Sequence, residues 1–157
     1  MNRLIASAAV ASVVFASAAF ADTLPNDVAF TADGGVEQPL TATPGNATEG
    51  LTVATTRSMG NCIACHAAKG WAKFPEPGNI GPVLDGVGTR YTPAQLRGLV
   101  VNAKKHFPGS IMPAFYNVAG IIRPGDNYTA KAPKVVTAIL TAQQVEDLVA
   151  LLATFKD

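Results

Sequence analysis

The chain has 157 residues, 48% of them hydrophobic, and a formal net charge of +1, which is enough for one compact domain with extensions. That balance offers no basic surplus for a nucleic-acid partner, and none is expected. Only two cysteines are present, so a disulfide-stapled scaffold is excluded unless both are spent on a single bridge.

The hydrophobic fraction is inflated at the amino terminus. Arg3 is followed by apolar or small residues from Leu4 to Phe20, and Ala19-Phe20-Ala21 supplies a small-x-small cleavage signal. The run is rich in Ala and Ser and shorter than the ~20 strongly apolar residues of a membrane span. Residues 1–21 are therefore expected to be a cleaved signal peptide, leaving no membrane span. Residues 22–50 contain Asp22, Asp27, Asp33, Glu37 and Glu49 with no Lys or Arg, whereas residues 51–157 carry eleven basic side chains against six acidic ones. The acidic segment is punctuated by Pro25, Gly34, Gly35, Pro39, Pro44 and Gly45 and lacks an apolar period. It reads as an extended acidic arm, either a plain tail or a strap lying on a partner protein.

The main domain, residues 51–157, is expected to be all-α. A first helix should begin near Glu49-Gly50 and run toward residue 62, since Leu51, Ala54, Thr55, Ser58, Met59 and Cys62 follow helical spacing. Its small face would allow close approach of another helix. Residues 70–88 read as loop, broken by Gly70, Pro75, Pro77, Gly78, Gly81, Pro82, Gly86 and Gly88. Thr92-Pro93-Ala94-Gln95 combines a capping threonine, a proline at the first helical position and a capping-box glutamine. Leu96, Leu99, Val100, Ala103 and Phe107 would form the inner face of that helix. Thr141-Ala142-Gln143-Gln144 opens a last helix in the same way, with Val145, Leu148, Val149, Leu152 and Phe155 as its stripe.

Chemistry enters at Asn61-Cys62-Ile63-Ala64-Cys65-His66. Cys-x-x-Cys-His is the attachment signature of a c-type haem. Two cysteines three apart on a helical turn can form thioethers to the two vinyl groups of one porphyrin, and the following histidine then lies under the iron. Half of a zinc site is the first alternative, but there is no second cysteine pair and only one other histidine. A thioredoxin-like pair would need a βαβ context that the sequence does not offer. One covalently bound haem c, attached through Cys62 and Cys65, is thus the expected cofactor. Because such attachment happens outside the cytoplasmic membrane in bacteria, the motif and the leader agree on a periplasmic protein.

An axial histidine needs its second ring nitrogen held by an acceptor. Pro82, in Gly81-Pro82-Val83-Leu84, has a carbonyl and no N–H, and is expected to take the His66 proton. For the opposite face of the ring, Met59 is too close to Cys62 and falls on the His66 side. His106 sits beside Lys104 and Lys105 and is expected to be an exposed histidine. Met112, in Ser110-Ile111-Met112-Pro113-Ala114-Phe115, is the expected sixth ligand, with a core-filling methionine as the alternative. With His66 and Met112 both bound, the iron has no open position, which is electron-transfer chemistry; no catalytic residue is expected on this chain. Arg90 and Tyr91 are candidate propionate donors or a surface pair. Lys104 and Lys105 read as a solvated face, and Trp71 and Phe115 as core packed on the haem.

Gly60 to His66, Gly78-Asn79-Ile80-Gly81-Pro82, Leu84 to Gly88, and Leu96 to Phe107 running into Ile111 to Tyr116 together resemble a class I cytochrome c. Within that class the chain is similar to the SoxX family, the monohaem subunit of the SoxAX complex of sulfur oxidation. The likeness covers most of residues 51–157, least so residues 117–138. It implies an electron-relay subunit of an L-cysteine S-thiosulfotransferase, which oxidatively conjugates thiosulfate to a cysteine of the SoxYZ carrier protein. It further implies a heterodimer with a SoxA-type cytochrome that carries the catalytic haem, and a soluble cytochrome as electron acceptor. A free-standing diffusible periplasmic cytochrome c is the alternative.

Overall fold

The computed structural model describes residues 21–74, 77–121 and 133–157. Residues 1–20 of the expected leader and residues 122–132 of the least typical stretch lie outside the described residues. Four α-helices occur in the order α1 (Ala47–Thr55), α2 (Val87–Arg90), α3 (Pro93–Asn102) and α4 (Ala142–Thr154), with 3-10 turns between them and no strand among the described residues.

The C-terminal helix α4 is the hub. Thr141 caps it, with the Thr141 hydroxyl accepting from Gln144 N–H and the Gln144 side chain returning to Thr141 N–H. Its apolar stripe, Val145, Leu148, Val149 and Leu151, is buried against α1, α3 and α2. The first and last helices cross as their small and apolar faces suggest. Gly50 is the point of closest approach: a Cβ there would overlap the Asp147 carbonyl and come within 2.9 Å of Leu151 Cβ.

Two boundaries differ from the sequence expectation. Helix α1 begins earlier, because Asn46 caps it by accepting from Thr48 N–H at 2.8 Å and Glu49 N–H at 3.4 Å. It also ends at Thr55 rather than running into the cysteines. Thr56 is extended, Gly60 N–H turns back to Val53 O, and Asn61 sits in the left-handed region at φ 45°. The β-branched pair Thr55-Thr56 and the flexible Gly60 weaken the helix where its apolar spacing would continue it. The expected loop 70–88 also contains short helical pieces, at Lys69–Trp71 and at the start of α2.

Helix α3 carries the expected capping box at Thr92 and Gln95. Its inner face differs at one end: Leu96, Val100, Val101 and Ala103 are buried, but Phe107 is 49% exposed. The buried surprise is Arg97. Its Nε and Nη2 donate to the Glu146 carboxylate at 2.7 and 3.0 Å, and Nη1 donates to Val36 O at 2.7 Å.

That ion pair fastens the acidic arm. Leu40 N–H donates to Glu146 Oε1 at 2.9 Å, Val36 N–H to Ala94 O at 2.9 Å, and Thr23 N–H to Leu40 O at 2.7 Å. Val36 and Leu40 are buried in the core, and the Gly34-Gly35 backbone crosses Gly98 of α3 so closely that a Cβ at Gly98 would overlap Gly34 O. The arm is extended, as its composition suggests, but its inner side is committed to its own domain.

Candidate haem site

Cys62–Ala64 forms a single 3-10 turn, closed by Cys65 N–H and His66 N–H both donating to Cys62 O at 3.1 and 2.9 Å. Both cysteines are half-buried. Burial pushes the Cys62 thiol up to about 11.

A loop underpins the turn. Gly78 N–H donates to Ile63 O, Gly81 N–H to Cys65 O and Leu84 N–H to Ala67 O, at 2.8, 2.7 and 2.9 Å. This ladder brings Pro82 O to 2.7 Å from His66 Nδ1. A carbonyl can only accept, so Nδ1 carries the proton and Nε2 keeps its lone pair for a metal. The expected acceptor is therefore the observed one. Gly81 lies flat against the ring: a Cβ would be 2.6 Å from His66 Nδ1 and 2.7 Å from Nε2. No other residue fits there without moving the histidine.

Met112 is half-buried against the core, in a loop that leaves the end of α3 and returns to it through Phe115 N–H to Val100 O and Tyr116 N–H to Val101 O. Met59 is occupied elsewhere, its sulfur 3.9 Å from Gln144 Nε2 on α4. His106 is not the exposed histidine expected. It is half-buried, edge-on to Tyr91 and Phe107 with ring centroids 5.9 and 4.6 Å away. Arg90 Nη1 donates to Asp85 O at 2.8 Å, so its guanidinium serves the loop after the histidine. Trp71 and Phe115 are core residues. Lys105 stands over the Phe30 ring of the arm at 5.5 Å, while Lys104 donates to Met112 O at 2.6 Å.

The residues present fit a haem. Trp71 is fully buried, yet among the described residues its Nε1–H has no acceptor and His106 Nδ1 has no partner. Large apolar side chains flank both candidate ligands in the open: Ile80 at 67% and Val83 at 54% exposure beside Gly81-Pro82, and Ile111 at 83% beside Met112. Such exposure marks surface made to be covered. No group of three or more His, Cys, Asp or Glu side chains converges among the described residues.

Sequence reasoning missed Gly81, Arg97 and Lys104 as determinants of the site and its frame. The glycine-proline pair was visible, but that Gly81 must lie against an imidazole is a tertiary fact. Lys104 reads as surface and is exposed, but its bond to the Met112 carbonyl is tertiary; Arg97 carries no sequence sign of burial, since Arg is usually exposed.

The family model for cytochrome c matches residues 47–156. A search of the curated proteins finds no match. Among solved structures, the chain is similar to one in "Crystal structure of SoxXA from P. pantotrophus", at 48% identity and a TM-score of 0.82, over 87% of this chain and 100% of that one. No described helix is long and apolar enough to cross a membrane. A covalently bound haem c is the cofactor that this family and the Cys62-x-x-Cys65-His66 spacing share. With its family model spanning the helical domain and 48% identity to the solved relative over the aligned residues, the chain belongs to the cytochrome c family, as a cytochrome of the SoxX type.

Proposed function

We propose that this protein is the monohaem electron-transfer subunit of a periplasmic SoxAX-type complex, exported by its leader and paired with a cysteine-ligated, SoxA-type cytochrome. The similarity to a whole chain of a SoxXA structure, at 48% identity, is the observation that carries this reading over that of a diffusible carrier. Cys62 and Cys65 would tether the haem through thioethers, and His66 Nε2 and Met112 Sδ would hold its iron. The haem supplies reversible one-electron chemistry. Pro82 O fixes the His66 ring and increases its basicity through the Nδ1 proton. The Met112 thioether favours ferrous iron and so raises the potential. Neither residue leaves a coordination position for substrate, and no residue of this chain acts on thiosulfate.

The reaction served is the joining of thiosulfate to a carrier-protein cysteine, as on SoxYZ. A sulfur–sulfur bond forms, the cysteine S–H bond breaks, a proton goes to solvent and two electrons leave. The partner's haem is the catalytic one; this chain takes the electrons singly and passes them to a soluble cytochrome.

The test is expression with and without a SoxA-type subunit, followed by thiosulfate-dependent haem reduction in the presence of carrier protein. Reduction in the pair alone establishes the relay role. A SoxX-type chain that stays monomeric when purified from its native host, and is silent in both preparations, leaves the diffusible carrier as the better reading.

A further inference from the structure

The Met112 loop is built to hold one residue still. Ser110 N–H donates to Phe107 O at 2.9 Å, and Ser110 Oγ accepts from Met112 N–H at 3.2 Å. Beyond the ligand, Phe115 and Tyr116 return to α3 at Val100 and Val101, and Leu140 N–H donates to Phe115 O at 3.0 Å. Met112 thus has its N–H taken by one side chain and its carbonyl by another, Lys104 Nζ at 2.6 Å. The lysine is itself positioned. It follows α3 in the turn Ala103–Lys105, where Asn102 Oδ1 accepts from Lys104 N–H at 3.2 Å.

We infer that Lys104 is a positioning residue for the sixth ligand: its ammonium clamps the Met112 carbonyl and holds the thioether in place for the iron. This rests on the reading of Met112 as that ligand. A neutral thioether forms a weak bond to ferric iron, so its persistence depends on how little freedom the loop regains when the bond opens. A charge-assisted hydrogen bond from a neighbouring turn restricts that freedom more than a neutral one would. The clamp also fixes a positive charge on the ligand's own backbone, which favours the ferrous state. Lys105, the adjacent cation, faces the arm and serves as the internal control.

The experiment uses the full-length, haem-loaded protein with Lys104→Gln, Lys104→Arg and Lys105→Gln variants. Three properties are read: the near-infrared sulfur-to-iron charge-transfer band of the ferric protein, the affinity for added imidazole, and the midpoint potential. Lys104→Gln is expected to weaken the band, lower the potential and tighten imidazole binding about five- to tenfold, the scale of one hydrogen bond to a charged donor at a solvent-exposed site. Lys104→Arg restores all three, and Lys105→Gln leaves them unchanged. A wild-type band that Lys104→Gln leaves intact, with unaltered imidazole affinity, overturns the proposal, as does a variant that loses thermal stability alone. A wild-type ferric protein without the band overturns the Met112 reading and the proposal together, an outcome distinct from failure of the proposal alone.

Discussion

At the residue scale the site turns on His66 and the glycine beneath it. Because Pro82 O takes the Nδ1 proton and Gly81 packs on the ring face, ring orientation is set by loop backbone rather than by side chains. Gly81→Ala should therefore leave the haem attached through both thioethers while displacing the imidazole. A forced shift in a packed site costs about 1–3 kcal/mol, read as a lower unfolding midpoint together with an altered iron–histidine signature by resonance Raman. An unperturbed signature would mean that the loop yields instead of the ring. The histidine's partner was legible in the sequence because both ingredients are local signals: a motif of fixed spacing and a proline that can only accept. The requirement at Gly81 was not legible, since a glycine among many glycines carries no mark of what it touches. The same holds for His106, whose neighbours suggested solvent but whose ring is enclosed by Tyr91 and Phe107.

At the element scale, both capping boxes and the α1–α4 crossing followed from short patterns of threonine, glutamine, glycine and apolar residues. What escaped was the arm. Val36 and Leu40 are isolated apolar residues in an acidic segment, and two such positions make no period. They are buried because Arg97 and Glu146, from α3 and α4, form a buried pair whose remaining hydrogen bonds go to the arm backbone. Removing one member leaves the other charged and unpaired, which costs about 3–5 kcal/mol, whereas replacing both with apolar residues of similar volume is often far less harmful. Glu146→Gln is thus expected to lower the denaturation midpoint strongly and expose residues 22–45 to protease, and Arg97→Met with Glu146→Leu to recover much of the midpoint. Equal loss in the single and double variants would show that the arm bonds, rather than the stranded charge, dominate. Deleting the arm is consequently no clean test of partner binding, because it also strips the core of two buried side chains, each contributing roughly 1.5–3 kcal/mol before chain entropy is counted.

At the scale of the whole molecule, the arm and the Met112 loop meet. Tyr116 hydroxyl donates to Thr23 O at 2.7 Å, across 93 residues of sequence. The acidic segment, net −5, is thereby tied to residues 51–157, net +5. Burial, and then the negative charge of Asp22, raise the Tyr116 phenol above its ordinary value of 10.0. The sign follows from which state holds the proton more tightly. Below about pH 10 the phenol is neutral both folded and unfolded, and the hydrogen bond contributes in full. As pH rises further, the unfolded chain ionises first, so this contribution is lost through the folded value. Tyr116→Phe should accordingly be less stable than the native protein near neutrality, by about 0.5–1.5 kcal/mol for one hydrogen bond. The gap should narrow above about pH 10, since other tyrosines and the lysines titrate alike in both proteins and cancel in the difference. Unfolding midpoints of the two proteins measured across that range decide the matter. A constant gap would mean that Tyr116 keeps its proton equally in both states, and that the closure between arm and ligand loop is insensitive to alkali.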